Sequence, residues 1–279
     1  MNVPFSPPQP AEAAEAIFRR YREDVLARGW NDTLAVLLDH RSVRSYLADP
    51  LPEGFLETII SASSSAPSSS NVQAWSVVAV TDPEKRARLS EIAGGQAHIR
   101  QAPVILVWIA DLSRAEAVAG REGVTLEGLG YTETFLLAAI DAALAAQNAL
   151  VAAESLGLGA VYIGALRNDP AAVAALLDLP PRAVAVFGLL LGHPDPSVPS
   201  AVKPRLPQQA VLHRETYRPE VQPAAIARHD AVTAAFRAEQ KLPEQSWSSL
   251  VIERLRTVAA LKGRDRLRGV LETLGFALK

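Results

Sequence analysis

The feature that most constrains the fold is a long segment, Thr132 to Leu156, that carries almost no polar face. It is rich in small alanines and apolar on nearly all sides, with the spacing of a single helix. Such a helix must be covered on most of its surface, at the centre of a protein or at a subunit interface. Because one modest chain would otherwise have to cover it completely, the segment favours a dimer.

Four short segments have the composition of buried strands. They are nearly continuously apolar, which predicts a sheet that is covered on both faces. The predicted strands are Trp75 to Thr81, Val104 to Ile109, Ala160 to Ile163 and Val184 to Leu191. The helical period predicts helices at 11–28, 55–62, 82–93, 132–156, 170–177, 223–240 and 248–274, the last broken near Gly263.

Composition excludes several classes of function. The chain has no cysteine, which rules out disulfides, thiolate nucleophiles and iron–sulfur clusters. A formal net charge of -2 argues against nucleic-acid and anionic-membrane partners. The first residues lack a signal-peptide pattern, and no segment has the roughly 18 to 20 uninterrupted apolar residues of a membrane span. The histidines show no metal-ligand spacing, so we expect no metal. The absence of cysteine and of a signal-peptide pattern suits a cytoplasmic protein.

Two short cationic runs are candidates for binding an anion. The run HRSVRSY, residues 40–46, would place His40 and Arg44 on one face if it formed a helical turn. Phosphate suits such donors, because arginine forks match its oxygens. The run KPRLP holds Lys203 and Arg205 in a backbone stiffened by proline. The two runs suggest one shared anion, and the alternative is that each is a solvated surface segment.

Three further loops carry weaker signals. A serine-rich loop at 63–71 joins a predicted helix to a strand. Gln96 follows two glycines, and its amide could read the edge of a planar ring or belong to an ordinary helix cap. The strand that ends at Gly164 and Ala165 allows close approach of a flat ligand. No GxGxxG, GxxxxGK[ST], HExxH or GxSxG pattern is present, so a nicotinamide would not lie in a Rossmann crevice.

The order of these motifs resembles the FMN-dependent nitroreductase family. The run at 40–46, the serine loop with Gln73, the GGQ at 94–96, the stretch AAQNALVAAESLGLGAVYIGALRN at 145–168 and the run KPRLP are similar to its branch of oxygen-insensitive NADPH nitroreductases and flavin reductases. The resemblance covers residues 38–279 and leaves 1–37 as an N-terminal extension with a Pro-rich start and a helix. Residues from about 208 to 279 would form a C-terminal helical excursion.

The resemblance implies an α+β fold with a mixed, largely antiparallel sheet sandwiched between helices. It also implies an intertwined homodimer with FMN sites at the subunit interface. The implied activity is that of an FMN-dependent NAD(P)H oxidoreductase that reduces nitroaromatics and quinones by ping-pong hydride transfer through flavin N5. FMN would be tightly bound, and NADPH or NADH would be the electron donor, with no catalytic side chain. The alternatives are an NAD(P)H:FMN flavin reductase and a flavin-sequestering protein without efficient nicotinamide turnover.

The same resemblance assigns the site residues. The residues expected to hold the FMN phosphate and the polar ring edge are His40, Arg41, Ser42, Arg44, Lys203 and Arg205. Those expected along the flavin ring are Ser68, Ser69, Ser70, Gln73, Gln96, Tyr162, Ile163, Gly164 and Ala165. The residues expected near the flat electron acceptor or NADPH are Asn71, Glu133, Arg237, Lys241, Lys262 and Arg264. Because the loop at 237–245 has fewer arginines than the branch's NADPH loop, strict NADPH preference is not expected.

Overall fold

The structure is a computed structural model that describes residues 10–25 and 29–279. The chain forms two compact units. The first unit combines Met1–Arg41 with Ser200–Leu261, and the second combines Ser42–Pro199 with Lys262–Lys279. The boundary expected after residue 37 stays a prediction.

Each predicted helix overlaps at least one observed helix. Across the described ranges the helices are α1 (Pro10–Tyr21), α2 (Asp32–Asp39), α3 (Phe55–Ser64), α4 (Pro83–Ile92), α5 (Ala97–Gln101), α6 (Ser113–Glu122), α7 (Thr132–Ser155), α8 (Pro170–Leu176), α9 (Gln222–Glu239), α10 (Trp247–Leu255) and α11 (Leu267–Thr273). Of these, α2, α5 and α6 were not predicted. Helix α1 ends well before the predicted end at Arg28, and residues 26–28 lie outside the described ranges. The long helix predicted at 248–274 is divided into α10 and α11, with short 3-10 turns and Gly263 between them.

The second unit is built on one antiparallel sheet. Its strands are β1 (Trp75–Val80), β2 (Val104–Asp111), β3 (Gly159–Ile163) and β4 (Ala183–Gly192), in the order β1-β2-β4-β3. Every residue of β2 is buried. In β4 eight residues are buried and the other two are half-buried. The predicted fold class is therefore confirmed, with each of these four strands within two residues of its predicted bounds.

The two faces of β2 explain why its sequence is continuously apolar. Alternate side chains of a strand point to opposite faces. Val104, Leu106 and Trp108 join the core cluster that includes α7 and α3, whereas Ile105 and Val107 join the cluster on the opposite face with α4, α5 and α8. Both faces are covered within one unit, so positions 104–110 are all apolar, and the one polar residue of β2 is Asp111 at its end.

Helix α7 lies on the first of these faces. Its buried residues are mostly alanines, which allow the helix axis to approach the strands closely. Among the described residues it is the one helix whose length and mean composition would allow it to cross a membrane, although Asp141, Gln147 and Asn148 interrupt its apolar sequence. Core helices pass the same test, and α7 packs on the sheet. Leu136, Ile140 and Leu144, at intervals of four residues, remain exposed on it.

The run at 40–46 does not form the helical turn considered above. Helix α2 ends at Asp39, and His40 has φ -49 and ψ 129. Ser42 then forms a parallel bridge with Ala160, and the Val43 backbone N–H donates to the Ala160 carbonyl at 3.0 Å. Pairing with β3 extends the backbone, so the spacing that would place His40 and Arg44 on one helical face does not apply.

The approach of this run to β3 generates the first prediction. A Cβ added at Gly159 would lie 2.7 Å from Val43 Cγ2, which is closer than packed atoms tolerate. Because Val43 is buried and cannot move aside freely, Gly159→Ala should destabilise the fold by about 1–3 kcal/mol, the usual cost of overpacking. Urea unfolding measures the free energy.

The matched control is Gly120→Ala in the interior of α6, where an added Cβ meets nothing within 4 Å. Alanine is the better helix former there, so this variant should gain roughly 0.5–1 kcal/mol. Equal stability of Gly159→Ala and the unaltered protein would contradict the close contact.

Candidate functional site

A cluster of cationic residues forms within the first unit. Its first part, His40 and Arg41, follows α2, and its second part belongs to the run KPRLP. In that run Pro204 is buried, whereas Lys203 and Arg205 on either side of it are exposed. Because alternate residues of an extended backbone face opposite ways, the two cations lie on the same outer side.

Both parts of the cluster are joined by one buried side chain, Arg20 of α1. Its guanidinium donates to the carbonyl oxygens of Leu38 at 2.7 Å and His40 at 2.8 Å, and to that of Lys203 at 2.9 Å. The backbone N–H of Arg205 donates in turn to the Arg20 carbonyl at 2.8 Å. The two runs that the sequence suggested for one anion are thus neighbours, and Arg20, only 5% exposed, connects them.

The carboxylate of Asp39 partly neutralises this cluster. Arg41 forms an ion pair with Asp39, and Arg19 lies 3.5 Å from the same carboxylate. These side chains are half-exposed, and such pairs contribute only about 0–1 kcal/mol. A cavity of about 540 Å³ borders Arg41, Arg19 and Ser200. An incoming phosphate could replace Asp39 as the partner of Arg41 at small cost.

The serine loop lies in the second unit and has an unusual backbone. Ser69–Asn71 forms one 3-10 turn, and Ser70, Asn71 and Gln73 have φ values of 48, 55 and 51. This left-handed region is uncommon for residues other than glycine. The amide side chains of Asn71 and Gln73 bond to each other at 3.2 Å. The loop is therefore held in a specific shape by contacts elsewhere.

Those contacts come from Asp141, which the sequence analysis did not select. Its carboxylate, 2% exposed, accepts from the Ser68 hydroxyl at 2.7 Å and from the backbone N–H groups of Ser69 and Ala74, both at 3.1 Å. A lone carboxylate in the middle of an apolar helix was the signal that could have identified it. A buried carboxylate is tolerated only with such donors.

The end of β3 presents the predicted ring-side residues. Tyr162 and Ile163 end the strand, and Gly164 and Ala165 begin the 3-10 turn that follows. The Tyr162 ring packs edge-on against Phe187, and burial raises its pKa, so it is a neutral phenol. The sequence Gly-Ala leaves little side-chain bulk where the strand ends.

The structure also relates Arg44 to the loop that carries Gln96. The Gln96 amide donates to the Ala93 carbonyl at 2.9 Å. His98 follows, and its pKa is lowered first by burial and second by the positive charge of Arg44. Its Nε2 atom is buried without a hydrogen-bond partner. Gln96 thus forms the cap interaction that was the alternative to a ring contact, while His98, two residues later, has a buried nitrogen that a polar ligand could satisfy.

The residues predicted for acceptor or NADPH binding belong to both units. Glu133 lies exposed in the first turn of α7, and Arg264 donates to the Asn168 side chain at 3.0 Å, two residues after exposed Lys262. In the other unit, Arg237 donates to the Pro243 carbonyl at 2.6 Å, and Lys241 is exposed. Arg237 therefore also shapes the loop that follows α9.

Comparison with known proteins identifies the family. The model named "Nitroreductase family" matches residues 37–193, and "Nitroreductase family, C-terminal domain" matches 203–279. The chain is 46% identical over 188 residues to an FMN reductase [NAD(P)H] of Bacillus subtilis, covering 67% of this chain and 75% of that relative. It is 39% identical over 204 residues to an oxygen-insensitive NADPH nitroreductase of Salmonella typhimurium, covering 73% and 82%.

A solved structure agrees over most of the chain. The NADPH:FMN oxidoreductase of Vibrio harveyi, complexed with NAD+, matches with a TM-score of 0.79 and 37% identity, covering 89% of this chain and 100% of that one. The family predicted by resemblance is confirmed: the chain belongs to the nitroreductase family.

The role of Asp141 leads to the second prediction. Asp141→Ala removes the acceptor of three donors, of which the Ala74 N–H is buried and those of Ser68 and Ser69 are part-buried. Because an unsatisfied buried donor costs about 1–3 kcal/mol, we expect a loss of about 1–3 kcal/mol in the free energy of unfolding, measured in urea. Asp141→Asn should lose less, because it keeps one acceptor oxygen.

Ser61→Ala is the control, since the exposed Ser61 hydroxyl bonds only within its own helix, to the Glu57 carbonyl at 2.8 Å. If Asp141→Ala were as stable as this control, Asp141 would not be what holds the serine loop.

Proposed function

We propose that the protein is an FMN-dependent NAD(P)H oxidoreductase that reduces free flavin and other flat acceptors, including nitroaromatics and quinones. The observation that carries the proposal is that Arg20 joins His40 of the first cationic run to Lys203 of the second. Relatives named FMN reductase and oxygen-insensitive NADPH nitroreductase support free flavin and nitroaromatics as acceptors.

The residues of the first unit suit the phosphate of FMN. Arg41, Lys203 and Arg205 supply charged donors and His40 adds a ring N–H, and charge-assisted hydrogen bonds to phosphate are the strong kind. Among them, Arg41 is paired only weakly with Asp39. Ser42, the first residue of the second unit, has a backbone N–H and a hydroxyl that are further candidate donors.

The residues of the second unit suit the flavin ring. The serine loop at 68–70 with Gln73, the end of β3 from Tyr162 to Ala165, and Gln96 offer hydroxyl, amide and backbone groups to a planar edge. When bound, FMN supplies the redox chemistry, accepting a hydride from NAD(P)H and passing the electrons to the acceptor in ping-pong order.

The protein contributes position and charge. A guanidinium such as that of Arg44 beside the ring stabilises negative charge without a proton transfer from a side chain. The small residues Gly164 and Ala165 add little side-chain bulk at the end of β3, where donor and acceptor would stack on the flavin in turn. Water supplies the protons, so no general acid is required.

We further propose a homodimer that shares its FMN sites. Members of the nitroreductase family are typically dimeric. The exposed row of Leu136, Ile140 and Leu144 on α7 is an apolar face of the kind that a second copy covers. Without cysteine, the chain suits the reducing cytoplasm, where we place it.

The test of function is direct. The purified protein should be yellow and should oxidise NADPH or NADH when free FMN, a nitroaromatic or a quinone is added. Arg44→Ala should lose bound flavin and, with it, most of the activity, because a ring-edge cation is removed. Ser68→Ala, Ser69→Ala and Ser70→Ala, which leave the charges in place, should each retain turnover.

A colourless protein that rejects added FMN would overturn the proposal. A yellow protein that is inert with both nicotinamides would favour flavin sequestration instead. Full flavin content and activity in Arg44→Ala would show that Arg44 has been assigned wrongly.

The choice of donor gives a separate prediction. Lys241 is exposed in the loop after α9 and is a candidate for contact with the 2'-phosphate that only NADPH carries. Lys241→Gln should raise KM for NADPH about tenfold, the effect of losing one charged contact, and leave KM for NADH unchanged. Steady-state kinetics with both donors measure this. An equal rise in KM for NADPH and NADH would exclude a 2'-phosphate contact. The matched control is Lys85→Gln on α4.

A further inference from the structure

Helix α1 contributes Arg20 to the cationic cluster, and Arg20 precedes the residues that match the family. The match begins at residue 37, whereas Arg20 belongs to the described segment 10–25 that precedes it. The side chain of Arg20 is nevertheless buried at the junction of the two runs. The extension is therefore part of the environment of the cluster in this unit.

We propose that Arg20 is a positioning residue for the cofactor phosphate, so that the N-terminal extension is a working part of the binding site. This inference rests on the proposed FMN function. Arg20 does not touch the phosphate in this proposal. It fixes the backbone from which His40, Arg41, Lys203 and Arg205 reach the anion.

The geometry of the guanidinium suits this role. Its nitrogens point in fixed directions in one plane, which no other side chain provides. One nitrogen, Nη2, bonds the carbonyls of Leu38 and His40, while Nη1 bonds that of Lys203. The bond from Arg205 N–H to the Arg20 carbonyl closes the arrangement. A single rigid group thus sets the spacing between the two runs.

The cluster needs such a group because its members repel one another. Arg41, Lys203 and Arg205 are all positively charged, so bringing them together before an anion arrives is unfavourable. The buried Arg20 guanidinium adds a further positive charge, but its hydrogen bonds to three carbonyl oxygens hold the backbone of both runs in place in spite of that repulsion. A site already assembled loses less conformational entropy on binding and binds more tightly.

The neighbouring residue of the extension contributes in a second way. Arg19 lies 3.5 Å from Asp39 Oδ1, and Arg41 is paired with Asp39 Oδ2. Sharing the carboxylate between two guanidiniums weakens its hold on Arg41. Arg41 is therefore more available to the phosphate than it would be in a simple ion pair.

The test compares two flavins that differ only in the phosphate. Apoprotein of the full chain is titrated with FMN and with riboflavin, and binding is followed by flavin fluorescence. Arg20→Ala should weaken FMN binding about tenfold or more, equivalent to roughly 1.4 kcal/mol, with riboflavin affinity changed less than about twofold. Arg20→Lys keeps the charge but loses the fork, so it should fold and show the same selective loss at smaller size.

The control is Arg228→Ala, which removes another link between the extension and α9, the ion pair with Glu23 at 2.7 Å. Its affinity for both flavins should equal that of the unaltered protein. Equal weakening of FMN and riboflavin in the Arg20 variants would reveal general loosening and overturn the inference, as would unchanged FMN affinity. If Arg20→Ala does not fold, Arg20→Lys decides by the same comparison. An unaltered protein that binds neither flavin would instead refute the proposed function.

Discussion

The close packing of α7 on the central strands is the constraint on which the second unit depends. Alanines at the contact let the helix approach β2 and β4 closely, where it packs in one core with Leu106, Trp108 and Leu189. The same approach brings Asp141 to the serine loop. A helix with larger side chains would stand farther from the sheet, and its carboxylate would not reach Ser68 and Ala74.

Much of the fold could be predicted because the strands and long helices carry their signals locally. The continuous apolar runs at β2 and β4 reflect two covered faces, and this pattern does not depend on distant residues. The run at 40–46 was different. Its residues have helical spacing, but Ser42 and Val43 pair with Ala160, and a pairing partner more than a hundred residues away leaves no local trace.

The residues of the candidate site also differ in whether the sequence alone could indicate them. Family motifs indicated the cationic runs because charged side chains in a fixed order are visible in sequence. Arg20 and Asp141 were missed because they bond mainly to backbone groups, which every residue has. A side chain whose partners are carbonyls or N–H groups is recognised only once the backbone path is known. The roles of these two residues are therefore a product of tertiary structure.

The chemical nature of the Arg20 contacts determines how FMN binding should respond to ionic strength. Dissolved salt screens the exposed pair of Arg41 with Asp39 and any attraction between surface cations and a phosphate. Hydrogen bonds from a buried guanidinium to carbonyls are screened far less. Concentrated salt should then release FMN while the backbone of the two cationic runs, held by Arg20, keeps its conformation. After dilution, FMN should bind again without refolding of the protein.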